Sequence, residues 1–268
     1  MKDVLKRNNV TITGDGSNVM LFAHGFGCDQ NAWKYVKDAF AQHYKLVLFD
    51  YVGAGKSDVT MYDFSKYASL QGYATDVIEI CDALNLKDVI FVGHSVSCMI
   101  GGLASLSRPG LFKKLIFVCP SPCYISKGDY VGGFDQLTID SLLEVMEEDY
   151  ISWAKSLAPV VMSQENGKKL TQELSESFCS IDPIIAKQFA RVTFLSDNRK
   201  DLPSITVENL TIQCADDMIA PVAVGQYIHE NTPYNTMTIL NARGHCPHMS
   251  HPIETIEAIN IFLEEMSL

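Results

Sequence analysis

Three observations predict an α/β fold built on a mostly parallel central sheet flanked by helices. Apolar runs at residues 19–23, 45–49, 89–92 and 114–119 read as strands, and the run at 89–92 has no polar alternation, so both its faces must be covered. Strands and helices alternate along the first 120 residues, which implies parallel pairing through right-handed crossovers. Finally, the strand at 89–92 meets Gly93-His94-Ser95-Val96-Ser97 and then a small, apolar stretch suited to a helix packed on a sheet. A chain of 268 residues fits one such domain with an insertion, large enough to bury roughly three quarters of its unfolded surface.

In chain order, residues 1–9 lack the apolar stretch of a leader, so neither signal peptide nor membrane anchor is expected. Residues 10–16 read as a strand closed by a glycine turn. After the strand at 19–23 comes His24-Gly25-Phe26-Gly27, where glycines let the backbone approach a ligand and turn its N–H groups outward. The strand at 45–49 leads into Asp50 and the sequence Gly53-Ala54-Gly55-Lys56-Ser57. A phosphate-binding loop needs a glycine where Asp50 stands, and no helical pattern begins at Ser57, so nucleotide binding is not expected. Residues 73–84 carry apolar side chains at close to 3.6-residue spacing and read as a helix.

Strand, sharp turn and helix around Ser95 are the setting of the G-x-S-x-G elbow, which exposes a serine hydroxyl above the sheet as a nucleophile. One position departs from that pattern: Ser97 stands where the second glycine normally lets helix and strand approach. The oxyanion donors then fall to the backbone N–H groups of Phe26 and Val96, which would stabilise charge that develops in the transition state.

Residues 108–110 break the elbow helix, and Pro120-Ser121-Pro122 stops the next strand. Up to about residue 204 no strand appears; helical patterns occupy 137–148, 151–162, 168–179 and 183–195, with Asp182-Pro183 as a cap and first-turn pair. An all-helical insertion in such a sheet reads as a cap over the strand C-termini, where open α/β sheets bind ligands. The division expected is a core of 1–120 and 205–268 with a cap of 121–204. Candidate walls of a pocket for a small hydrophobic ligand are His94, Tyr124, Phe134, Trp153, Leu157, Val161, Phe189, Phe194 and Ile219, with Phe178 beside them.

Two late strands, 211–214 and 236–240, are followed by Ala215-Asp216-Asp217 and by Gly244-His245. Serine, aspartate and histidine at strand ends, in that chain order, match an α/β-hydrolase triad of Ser95, Asp217 and His245. Asp217 is the expected orienter, with Asp216 turned outward, a choice that geometry must decide. His245, His248 and His251 recur every third residue, but Pro247 and Pro252 interrupt a regular helix and H-E-x-x-H is absent, so no metal is expected. Residues 252–266 read as a closing helix.

Composition narrows the partners. A net charge of −11 argues against a broad face for nucleic acid or anionic membrane, and no apolar run is long enough to span a bilayer. Eight cysteines in mostly apolar contexts of a chain this size suit reduced core thiols and a cytoplasmic setting. No cofactor is expected.

The segments HGFGCDQNAW, FDYVGAGKSD, GHSVSCMIG, QCADDMIAP and GHCPHMSHP, with parts of the cap, resemble the bacterial RsbQ family of stress-response regulators. That family is related to the plant strigolactone and karrikin receptor hydrolases, on whose side GHSVS is a known variant. The resemblance implies the α/β-hydrolase fold with a four-helix cap inserted after the sixth strand. It also implies the triad named above, an apolar pocket, and a PAS-domain phosphatase as partner in activating a sigma factor.

Overall fold

The computed structural model describes residues 2–264, and among them seven strands form one sheet. These are β1 (Thr11–Thr13), β2 (Asn18–Ala23), β3 (Tyr44–Leu48), β4 (Val89–His94), β5 (Phe112–Val118), β6 (Asn209–Asp216) and β7 (Asn235–Arg243). Their spatial order is β1-β3-β2-β4-β5-β6-β7; β1 runs antiparallel to β3 and every other neighbour pair is parallel. The fold class is therefore α/β with a mostly parallel sheet.

Alternate residues of β2 show how the layers form. Leu21 and Ala23 pack on one side with α2 (Leu70–Ala83), α3 (Val96–Ser107) and α8 (Val222–Asn231). Met20 and Phe22 pack on the other with Trp33, Phe40 and the closing helix α10 (Pro252–Glu264). Burial on both faces is what the uninterrupted apolar runs demand.

Four helices lie between β5 and β6: α4 (Gln136–Glu148), α5 (Tyr150–Met162), α6 (Lys168–Ser180) and α7 (Pro183–Phe194). Three start on aspartate caps, with Asp135 accepting from Thr138 N at 2.7 Å, Asp149 from Ser152 N at 3.1 Å and Asp182 from Ile184 N at 2.9 Å. Their apolar faces form a separate cluster that takes in Cys28, Ile219, Cys246 and Met249 from the loops after β2, β6 and β7. The insertion thus sits over the C-terminal ends of the strands. It follows the fifth strand of this sheet, not the sixth: no further strand precedes it in the sheet as described.

Other differences are local. The helix α1 (Lys2–Arg7) has no periodic signature; Arg7 holds it by reaching Asp76 at 3.0 Å and Glu79 at 2.7 Å on α2. Helix α8 was not expected, and β6 and β7 run past their apolar stretches because Asp216 still pairs with Arg243. Short α9 (Pro247–Ser250) and α10 each open on a proline, which suits a first helical turn. Residues 265 and 266 of the expected closing helix lie outside the described residues. All eight cysteines are free thiols. No described helix is long and apolar enough to cross a membrane.

The stretch that mimics a phosphate loop is organised by Asp50. Its buried carboxylate accepts from Gln30 N at 2.8 Å, Lys56 N at 2.9 Å and Asn9 Nδ2 at 2.7 Å, while Ser57 Oγ accepts from Gly53 N at 2.9 Å. Replacing the carboxylate strands one buried donor and two part-buried ones. Asp50→Ala is expected to lower unfolding free energy by about 3 kcal/mol in urea titrations; a loss under about 0.5 kcal/mol would show that the loop does not depend on it.

Candidate active site

The turn after β4 places Ser95 at φ 56° and ψ −124°, a conformation that side-chain-bearing residues seldom adopt. Three local features hold it. Ser95 N donates to Val118 O on β5 at 2.9 Å, and Cys98 N donates to Ser95 O at 3.0 Å. Gly93 supplies the third: a Cβ there would stand 2.9 Å from the Ser97 backbone, so its absence lets α3 pass over the strand.

The departure at Ser97 has its own structural role. Its hydroxyl donates to the His24 carbonyl and lies 2.9 Å from Tyr51 Oη. Tyr51 N donates to His24 Nε2 at 3.1 Å, which leaves Nδ1–H of that ring to donate to Gly25 O at 2.9 Å. Ser97 therefore ties α3 to the loop that follows β2.

Three side chains from separate strand ends converge. His245 Nε2 lies 2.8 Å from Ser95 Oγ, and His245 Nδ1 lies 2.7 Å from Asp217 Oδ2. An ionised carboxylate only accepts, so Nδ1 carries the proton and Nε2 is free to accept from the serine hydroxyl. Asp217 is fixed by Ile219 N at 2.8 Å and Ala220 N at 3.1 Å, both donating to Oδ1. Asp216 is exposed and faces Arg243 at 3.9 Å, away from His245.

Among the described residues the Phe26 and Val96 N–H groups donate to no protein acceptor. Val96 opens α3, so its N–H points out of the helix start, where the helix dipole favours negative charge. Gly25 permits the approach: a Cβ there would be 2.5 Å from His94 Nδ1 and 3.4 Å from Ser95 Cβ. His94 in turn donates from Nε2 to His245 O at 2.8 Å and so positions the backbone of His245.

Ser95 and His245 line a narrow apolar cavity of about 30 Å³. Of the expected walls, His94, Tyr124, Leu157, Val161, Phe194 and Ile219 line it, together with Phe178. Phe134, Trp153 and Phe189 do not. Phe134 is held away by backbone pairing with Tyr124 and Ser126, Trp153 stacks on Tyr150 behind Phe26, and Phe189 stacks on Tyr73 at 4.3 Å. Cys28, Leu174, Thr193 and Cys246 line it without having been anticipated, as does the Phe26 ring, which touches rings from α5, α6 and α7. Two of these had a signal: Leu174 is one helical turn before Phe178, and Cys246 adjoins His245.

The histidine trio does not converge as ligands: His251 Nδ1 bonds Ser250 Oγ at 2.9 Å, while His248 packs between Trp33 and His94. One other group, Cys119, Asp217 and His245, has donor atoms within 4.8 Å of one another. Burial raises the Cys119 thiol well above its ordinary value, so it stays protonated beside the Asp217–His245 hydrogen bond.

Sheet and site together define a class, and the chain belongs to the alpha/beta hydrolase family, whose profile matches residues 20–258. It is 39% identical over 250 residues to the karrikin insensitive 2 receptor CA of Petunia hybrida, spanning 93% of each chain. It is 35% identical over 253 residues to a strigolactone esterase of Arabidopsis thaliana, spanning 94% of each. A solved hydrolase from Oleispira antarctica matches with a TM-score of 0.95 at 44% identity, over 98% of this chain and 97% of that one.

Burial keeps His24, His94 and His248 neutral to lower pH than an ordinary histidine, with His248 pushed down to about 3. The unfolded chain protonates these rings near pH 6.5, so stability present above about 6.5 is lost on acidification. His248 alone should steepen the loss by about 1.4 kcal/mol per pH unit between about pH 5.5 and 4, and His24 and His94 act in the same direction. In urea titrations across that range, His248→Phe is expected to lower the slope by about 1.4 kcal/mol per pH unit; an unchanged slope would exclude His248 as a contributor.

Proposed function

We propose that this chain is a serine hydrolase of a small, largely apolar ester or lactone, serving in the cytoplasm as a positive regulator of stress signalling. One observation carries the hydrolase reading: the Ser95–His245–Asp217 relay, at 2.8 and 2.7 Å, opens into an apolar cavity. Residues 1–120 and 205–268 are the catalytic core in this reading, and 121–204 the cap.

In the reaction, Ser95 Oγ attacks the carbonyl carbon while His245 Nε2 takes its proton. The new oxyanion lies against the N–H groups of Phe26 and Val96, whose fixed dipoles need no reorganisation as charge develops. Imidazolium, stabilised by Asp217, returns the proton to the departing alkoxide and leaves an acyl-serine. Water activated by His245 then releases the acid and restores the hydroxyl. The apolar walls exclude bulk water and strengthen each of these interactions.

The signalling part is favoured by the receptor relatives and by exposed apolar residues on the cap helices, Leu137 and Val145 on α4 and Ile184 on α7. A PAS-domain phosphatase is the proposed partner on that surface.

Ser95→Ala should lower turnover of p-nitrophenyl butyrate at least about ten-thousand-fold and abolish labelling by a fluorophosphonate; Asp217→Asn should cost about the same in kcat with labelling slowed. Unchanged turnover in Ser95→Ala would remove Ser95 from the mechanism. Leu137→Asp combined with Ile184→Asp should keep esterase activity and lose activation of the phosphatase; full activation would exclude that face as the docking surface.

A further inference from the structure

The cavity beside Ser95 is nearly all hydrocarbon, which makes any unused hydrogen-bonding atom on its wall informative. Two side chains there carry one. His94 Nδ1 lies against the Gly25 backbone, since even a Cβ at Gly25 would come within 2.5 Å of it, so that atom is covered. Thr193 Oγ1 is the other. Thr193 is 2% exposed, lines the cavity from α7, and its hydroxyl has no hydrogen-bond partner among the described residues.

A threonine in a helix normally has an acceptor at hand in the carbonyl four residues earlier. Thr193 does not use that of Phe189; its hydroxyl bonds neither backbone nor side chain. Valine would fill the same volume with a methyl group and leave no buried polar atom unmet, the arrangement that folding alone favours. The Ser95 and Tyr124 hydroxyls, by contrast, face one another at 3.4 Å, and Ser95 is also engaged by His245.

We infer that Thr193 is a specificity-determining residue, its hydroxyl donating to a second acceptor oxygen on the substrate, away from the scissile carbonyl. The substrate class is then an ester or lactone carrying an ether, carbonyl or hydroxyl oxygen on an otherwise apolar skeleton. This rests on the hydrolase reading of the same cavity. A site with a hydroxyl placed for such an oxygen rejects an analogue that lacks it, because the buried group is left unpaired.

The test walks an oxygen along the acyl chain. p-Nitrophenyl methoxyacetate, 3-methoxypropanoate and 4-methoxybutanoate are compared with their carbon isosteres, the butyrate, pentanoate and hexanoate. Wild type, Thr193→Val and Thr193→Ser are assayed on each, and dividing variant by wild type cancels the intrinsic reactivity of each ester. For at least one ether, Thr193→Val is expected to lose about fivefold or more in kcat/KM relative to its carbon partner, with Thr193→Ser restoring most of it. Thr193→Val should also melt at the same temperature as wild type or higher. If Thr193→Val treats every ether and its isostere alike, or if it melts lower because the hydroxyl has a structural partner, the inference is overturned. If wild type hydrolyses none of the six esters, the hydrolase reading fails. The same ratios are then read from calorimetric binding of the six compounds, where equal losses for ether and isostere again overturn the role of Thr193.

Discussion

The left-handed turn at Ser95 is the constraint on which the rest of the site depends. A side-chain-bearing residue at φ 56° costs on the order of 1–3 kcal/mol, and persists only where its surroundings leave no alternative. Here β4 is buried along its whole length, β5 fixes the Ser95 amide, and α3 passes directly over Gly93. Relaxing the turn would pull α3 off the sheet, so the strain is sustained by a large apolar contact. Two consequences follow from this one backbone state: the hydroxyl stands above the sheet within reach of His245, and the Val96 N–H begins a helix with no acceptor of its own. The proposed nucleophile and one proposed oxyanion donor are therefore set by the same pair of dihedral angles. Ser97 extends that coupling to the β2 loop, because its hydroxyl links α3 to the His24 carbonyl, two residues before Phe26.

The electrostatics around His245 are simplified by burial. His94 and His248 are neighbouring rings that burial holds neutral, and the Cys119 thiol stays protonated beside Asp217. The carboxylate of Asp217 is then the charge that faces the imidazole, at 2.7 Å and with its second oxygen pinned by two amides. A positive charge appearing on His245 in the proposed proton transfer meets the preorganised Asp217 carboxylate, while burial disfavours charge on His94 and His248. Water would screen that interaction, and little reaches it, since Asp217 and His245 are both buried.

Much of this was legible in the sequence because it is local. The insertion helices were placed within a residue or two at most ends, since aspartate caps and 3.6-residue stripes are written into short windows. The convergence of Ser95, Asp217 and His245 was legible for a different reason: the elbow, the paired acids and the late histidine each follow a strand, and parallel strands end on the same edge of the sheet. What escaped depends on distance in space. Helix α1 is held by Asp76, 69 residues beyond Arg7, and a six-residue stretch has no periodicity to announce it. Phe134, Trp153 and Phe189 were expected on the cavity wall because aromatic periodicity reports burial, yet it does not report which apolar layer a ring joins. Thr193 escaped for the converse reason, a β-branched residue among apolar neighbours reading as ordinary helix.

In the proposed reading, chemistry and selectivity come from different parts of the chain. Every group proposed to move a proton or hold charge belongs to the strand ends and loops of the sheet, whereas Leu157, Val161, Leu174, Phe178, Thr193 and Phe194 reach the cavity from α5, α6 and α7. The aromatic ring of Phe26 joins the two, its backbone beside Ser95 and its side chain among rings of the insertion. Sequence change in the insertion can therefore alter which compound is held, and for how long, while leaving the relay intact. An enclosure of this kind slows the departure of an apolar product as well as the entry of water. In the proposed reading, hydrolysis and prolonged occupancy are thus two outcomes of one cavity, divided by the rate at which a product cleaved at Ser95 leaves it.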